Sequence, residues 1–161
     1  MRAVLQRVSR ARVTVDEAVV GAIGPGLLVL LGVLRGDGER EARALAERVA
    51  RFRMFRDEAD RMNASVLDVG GEALVVSQFT LAFDGSRSGK RGRRPSFDAA
   101  APAEEARALY ESFVEALRAC GVPVRTGRFQ ARMQVELVND GPVTFVLDEA
   151  AASATAPGGA E

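Results

Sequence analysis

The sequence predicts an α+β fold: a single domain of mainly antiparallel sheets with two helices packed on one face, a three-layer β/β/α arrangement. Three observations predict it. Apolar residues recur at helical spacing in two stretches, "EREARALAERVARF" and "PAEEARALYESFVEALRAC". Elsewhere the apolar residues fall in short runs rich in Val and Leu, bounded by Gly, Pro, Asn and Asp. The resulting order is strands, helix, hairpin, helix, strands, in which sequence neighbours can pair antiparallel while both helices cover one face. At 161 residues the chain has the length of one domain, assigned to 1–148, with a small, polar and disordered tail over 149–161.

The elements follow in order. "AVLQRVSRARVTV" is β-rich, Asp16-Glu17 is a turn, and "VVGAIG" is the returning strand. The run "GLLVLLGVL" is too short to span a bilayer and fits a strand buried on both faces. Asp37 is placed as the N-cap of the first helix, whose stripe is Ala42, Leu45, Ala46, Val49 and Phe52. "SVLDVGGEALVVSQFTLAF" reads as a hairpin turning at Gly70-Gly71. Pro102 opens the second helix, Glu104 and Glu105 complement its dipole, Gly121 caps it, and Pro123 prevents its continuation. "VPVRTGRF" and "ARMQVELV" return to strands. The last stretch, "LVNDGPVTFVL", reads as two short strands meeting at a turn.

The chain contains no histidine, which removes Ser-His-Asp and Cys-His nucleophilic enzymes and every zinc site built on imidazole. A base near neutral pH must then be a raised carboxylate, a backbone group, water or the substrate itself. No metal or cofactor is called for. The lone Cys120 ends a helical pattern and reads as structural; a single cysteine fits a reducing compartment. With no signal-like stretch at "MRAVLQRVSR", the expected location is the cytoplasm. Net charge is zero, yet "GSRSGKRGRRPSF" carries Arg87, Lys90, Arg91, Arg93 and Arg94 without an acidic residue. Interleaved Gly and Ser predict a flexible loop there. It is either a solvated surface loop or a basic arm that meets a polyanion.

Two short stretches carry candidate chemistry. In "SQFTL", read as strand, Ser77, Phe79 and Leu81 face one way while Gln78 and Thr80 face the other. Thr80 is open between a β-favoured strand residue, a nucleophile and a group that positions one; backbone N–H groups at the strand end can serve as an oxyanion hole. In "NDGPVT", Pro142 stands where the second strand should begin and cannot donate to a ladder. It is either an ordinary turn or a cis Gly141–Pro142 unit whose carbonyls hold an ammonium group. Arg7 is open between a surface charge and a pocket residue.

Taken together, "LQRVSRARVTV", "GLLVLLGV", "MNASV", "VVSQFTL", "RRPSF" and "TGRFQARMQVELVNDGPVTF" resemble the D-aminoacyl-tRNA deacylases, also known as D-tyrosyl-tRNA deacylases. The resemblance spans roughly residues 1–148 and rests on two motifs, Ser77-Gln78-Phe79-Thr80 and Asn139-Asp140-Gly141-Pro142-Val143-Thr144. It implies a homodimer with active sites at the subunit interface, aminoacyl-tRNA as substrate, and no other protein partner or membrane. It further implies that Gly141 and Pro142 exclude L side chains, with Phe79 and Asn139 in substrate binding. By the same resemblance Thr80, Ser77 and Gln78 are the expected catalytic residues at the ester, where the terminal ribose hydroxyl of the tRNA is expected to activate water. The basic residues 87–94 are the expected tRNA contacts. The loop carrying them is longer than the family pattern, and the tail is extra.

Overall fold

The computed structural model describes residues 1–83 and 94–150. Eight strands and two helices follow in order: β1 (Arg2–Val15), β2 (Ala18–Ile23), β3 (Gly26–Gly32), α1 (Glu39–Arg51), β4 (Phe55–Arg56), β5 (Met62–Ala64), β6 (Glu72–Ser77), α2 (Ala103–Ala119), β7 (Val124–Thr126) and β8 (Gln134–Asp148). The class is α+β, as expected.

The long strand β1 organises the sheet. Its first half pairs antiparallel with β3, its second half with β2, and its other edge with β8 along nearly its whole length. The main sheet runs β2-β1-β3-β6-β7 and curls into a near-barrel. A Cβ on Gly21 of β2 would meet the carbonyl oxygen of Thr126 on β7 at 2.4 Å, so the two ends of that order touch. Antiparallel pairing dominates, but β3–β6 and β6–β7 are parallel. Each parallel pair is joined through a helix, which supplies the long crossover that parallel neighbours require.

Two apolar clusters divide the interior. One, with Val8, Val13, Leu28, Leu74 and Val76, fills the near-barrel. The other places Leu5, Leu31 and Val75 of the sheet against Leu45 and Val49 of α1 and Phe113 and Leu117 of α2. Both helices therefore lie on one face. The Asp16-Glu17 turn is as read, with both residues at positive φ.

Three local expectations are corrected. Asp37 is not the N-cap of α1; Gly38 is, with its N–H donating to the Glu41 carboxylate at 2.9 Å. Asp37 instead accepts from the Met1 amino group and the Leu34 N–H, both at 2.6 Å. Gly70-Gly71 does not close a hairpin. Met62–Ala64 pairs with Phe55–Arg56 in a separate small sheet, Val66–Gly70 are turns, and β6 enters the main sheet between β3 and β7. The stretch 137–147 is not two strands folded back on each other, because both of its halves run along β1.

At the C-terminal side, Glu149 is tied in: its N–H donates to the Met1 carbonyl at 2.9 Å, and its carboxylate pairs with Arg48 at 2.7 Å. Order thus continues at least to this residue of the expected tail; residues 151–161 lie outside those described. No helix of the described residues is long and apolar enough to cross a membrane.

Candidate active site

Where β3 and β6 end side by side, the chain makes a tight turn. Ser77, the last residue of β6, lies opposite Leu31, and the Gln78 N–H donates to the Leu31 carbonyl at 2.8 Å. Phe79–Ala82 is then a single 3-10 turn, closed by Leu81 N–H to the Gln78 carbonyl at 3.1 Å. The turn folds onto Gly32. A Cβ there would stand 2.8 Å from Leu81 Cβ and 3.2 Å from the Gln78 oxygen, so the close approach needs a glycine. The alternation expected for "SQFTL" therefore stops at Ser77. The Gln78 amide reaches over and donates to Thr80 Oγ1.

The turn forms one wall of a cleft of about 600 Å³. Ser77, Gln78 and Phe79 line it from the sheet, Ala103 and Ala106 from the first turn of α2, and Phe129 from the segment after β7. Phe79 is 62% exposed and meets Phe97 edge to face at 5.2 Å, at the cleft's open side. Tyr110 also lines the cleft, but its hydroxyl donates to the Val75 carbonyl at 2.8 Å, and burial pushes its pKa up to about 12. It is not a base near neutral pH.

The second motif stands elsewhere. Gln6 pairs with Thr144 and Val8 with Asn139, so four residues of β8, Asp140 to Val143, face the single residue Arg7. They bulge outward, leaving Gly141 and Pro142 exposed, with a cis peptide between them. Asn139 braces the bulge from within: its amide donates to Thr144 Oγ1 at 3.0 Å and its oxygen accepts the Val143 N–H at 2.6 Å. Arg7, buried to 5% exposure, donates Nε to the Asp140 carbonyl at 2.8 Å and Nη1 to the Met54 carbonyl at 2.9 Å.

The structure thus gathers Ser77, Gln78 and Phe79 on one cleft, with Thr80 hydrogen-bonded beside it and outside its lining. Asn139, Gly141 and Pro142 gather on the bulge and do not line that cleft. Arg94 is exposed, while Arg87, Lys90, Arg91 and Arg93 lie outside the described residues. Arg7 belongs to the bulge, which its position signals: alternation places it on the face of Ala3 and Leu5, both fully buried. Phe129 and Met133 of the cleft carried no comparable signal in "TGRFQARM".

An apolar cleft in a near-barrel, edged by a few convergent polar groups, is the form of a binding or catalytic site in a small enzyme. A family model described as D-Tyr-tRNA(Tyr) deacylase matches residues 4–148. The D-aminoacyl-tRNA deacylase of Syntrophotalea carbinolica is 60% identical over 148 residues, covering 92% of this chain and 97% of that protein. That of Roseiflexus sp. is 62% identical over 150 residues, covering 93% and 94%. A solved structure of a c-Myc DNA unwinding element binding protein superposes with a TM-score of 0.84 at 41% identity, covering 94% of this chain and all of that one. A probable eukaryotic D-amino acid tRNA deacylase shares the fold, at TM-score 0.77 and 18% identity. The chain belongs to the D-Tyr-tRNA(Tyr) deacylase family and is a hydrolase.

Proposed function

We propose that this chain hydrolyses the ester joining a D-amino acid, or glycine, to the terminal adenosine of tRNA, and that it does so as a homodimer in the cytoplasm. The observation that carries the reading is the separation of the two motifs. The Ser77–Ala82 turn is tied to the start of β1 by Arg2 Nη1 to the Leu81 carbonyl at 3.2 Å, while the Gly-Pro bulge sits opposite Arg7. Arg2 and Arg7 are five steps apart along β1, about 16 Å. A second protomer can bring its own exposed bulge to the cleft, so that each site is built from two chains.

In that site the Gly141 and Pro142 carbonyls accept from the substrate's α-amino group and occupy the space an L side chain would need. Glycine lacks a side chain and passes. The ribose hydroxyl beside the ester relays a proton, accepting one from water as the water oxygen adds to the carbonyl carbon and passing its own to the departing ester oxygen. The ester C–O bond then breaks, the ribose oxygen leaves with a proton, and the free D-amino acid is released. The chain's part is to orient the ester against the Gln78–Thr80 turn and its exposed Phe79. The Gln78 amide donating to Thr80 Oγ1 supports a positioning role for Thr80. The absence of histidine and the raised pKa of Tyr110 fit a reaction whose base belongs to the substrate.

Hydrolysis of D-tyrosyl-tRNA beside L-tyrosyl-tRNA tests this, with wild type and Thr80→Ala. Selective loss of the D ester, with the variant within about tenfold of wild type, is the expected result. Hydrolysis of both esters refutes the chiral filter. A fall of several thousandfold in a folded Thr80→Ala dimer refutes substrate-assisted attack and makes the hydroxyl the nucleophile.

A further inference from the structure

We propose that Arg107, Arg128 and Arg132 form a phosphate-binding rim that holds the single-stranded RNA segment leading into the cleft; the identity of that RNA as a tRNA 3′ end rests on the function proposed above. The rim is built around residues that already line the cleft. Arg128 and Arg132 flank Phe129, Gln130 and Ala131, all three of them lining residues. Arg107 lies one residue after the lining Ala106 on α2, and its guanidinium sits over the Phe129 ring at 5.1 Å.

The local structure orients the rim. After β7 the chain turns at Arg128–Ala131, with the Ala131 N–H donating to the Arg128 carbonyl at 3.2 Å and Gln130 at positive φ. The Arg128 N–H points back to Met133 Sδ at 3.4 Å, so the turn is closed on itself and its arginine side chains are left exposed. Stacking on Phe129 and a 3.5 Å bond to Gln130 Oε1 hold Arg107 at the same edge.

Charge supports the same reading. Of the other fifteen arginines among the described residues eight pair with a carboxylate, as Arg12 does with Glu136 and Arg118 with Glu115. Among the described residues Arg107, Arg128 and Arg132 have no carboxylate within 4 Å. The acidic residues of α2 are Glu104, Glu105, Glu111 and Glu115, all exposed, and Glu115 pairs with Arg118. The Arg107 guanidinium over Phe129, with Arg128 and Arg132 exposed on the adjoining segment, matches what a single strand offers: bases that stack and phosphates that accept paired hydrogen bonds. A duplex would not enter a cleft of this size.

The experiment measures binding rather than turnover. A fluorescent RNA hairpin with an unpaired, uncharged CCA 3′ end is titrated against wild type, Arg107→Ala/Arg128→Ala/Arg132→Ala, and the charge-keeping triple Lys variant, across a salt series. The Ala variant is expected to bind about tenfold or more weakly, with a log–log salt slope shallower by about 2, from roughly 0.7 per lost phosphate contact. The Lys variant, which keeps three point charges, is expected to keep most of the affinity and slope, and it also controls for folding. Wild-type affinity and slope in the Ala variant overturn the proposal. So does an equal loss on a blunt hairpin without the unpaired end, which would make the effect a non-specific one. Failure of wild type to cleave D-tyrosyl-tRNA refutes the proposed function instead, and leaves this binding result to be judged on its own.

Discussion

Arg7 Nε donates to the carbonyl of Asp140 at 2.8 Å, joining the middle of β1 to the residue immediately before Gly141. The same guanidinium donates to the Met54 carbonyl at 2.9 Å, so one buried side chain spans the strand, the end of the α1 connection and the Gly-Pro bulge. Arg7→Ala removes two donors and leaves the Met54 carbonyl buried without its partner. We expect a loss of about 2–4 kcal/mol of stability. Arg7→Lys should recover only part of it, because an ammonium cannot present the two-sided fork. Thermal denaturation measures the loss, and D- against L-tyrosyl-tRNA hydrolysis measures whether the bulge is still held. An unchanged melting temperature with unchanged selectivity would show that Arg7 holds nothing.

Gly141 has φ +150°, and a Cβ built there would stand 2.7 Å from Val143 Cγ2, 2.9 Å from the Val143 nitrogen and 3.3 Å from Arg7 Nη2. Two of these neighbours are fixed, one by backbone and one by the Arg7 network. Gly141→Ala should therefore cost roughly 1–3 kcal/mol and displace the bulge. Under the proposed function the displacement reduces D-ester turnover more than it reduces stability. Comparing the variant's melt with its kcat/KM separates the two, and a variant that melts and turns over like wild type would remove Gly141 from the site.

Much of this architecture was legible. The period of 3.6 in Ala42–Val49 and in Leu109–Leu117 marked both helices, because each buries one stripe against the sheet. Each motif falls on one local feature, the turn after β6 and the bulge of β8. What failed did so for physical reasons. Phe79, Thr80 and Leu81 favour strands, yet Gly32 offers a surface without a side chain, and the turn collapses onto it. Gly70-Gly71 looks like a hairpin turn, but Asp68 binds the Ser65 N–H and hydroxyl, both at 2.8 Å, and turns the chain earlier. Parallel pairing of β3 with β6 depends on α1 crossing between them, a long-range relation that neither strand's own pattern carries. The bulge was misread as a hairpin because nothing in "NDGPVT" says that both flanks share one partner strand.

The carboxylates of these short turns set the acid behaviour. Backbone N–H groups of Arg61 and Ala59, both at 2.9 Å, hold the Asp57 carboxyl below its ordinary value, and the Ser65 N–H and hydroxyl do the same for Asp68. A depressed folded-state pKa means that the unfolded chain binds the proton first. The contribution is present above the unfolded value of about 3.9 and is lost as pH falls through the lower folded values. Urea midpoints should therefore be flat near neutrality and fall below about pH 4. Asp68→Asn should be less stable than wild type near pH 6 and should lose less on acidification. Parallel acid curves for the two proteins would show that Asp68 carries no such linkage.

Tyr110 is the chain's single tyrosine, and there is no tryptophan, so its ionisation can be followed alone by absorbance near 295 nm. Burial raises its pKa to about 12, and its hydroxyl donates to the Val75 carbonyl inside the core. In the unfolded chain it should ionise near 10. The sign is the reverse of the aspartates: the stabilising contribution is complete below about pH 10 and is lost as pH rises toward 12. Alkaline titration of the native protein should show almost no tyrosinate until near 12, then a rise that coincides with unfolding, because the phenolate cannot donate to Val75 and is poorly solvated there. In urea the same rise should move to about 10. Tyr110→Phe should cost about 1 kcal/mol by leaving that carbonyl without its donor. Native tyrosinate appearing near 10 without unfolding would mean that the hydroxyl faces the open cleft, and would restore Tyr110 as a group able to touch the substrate.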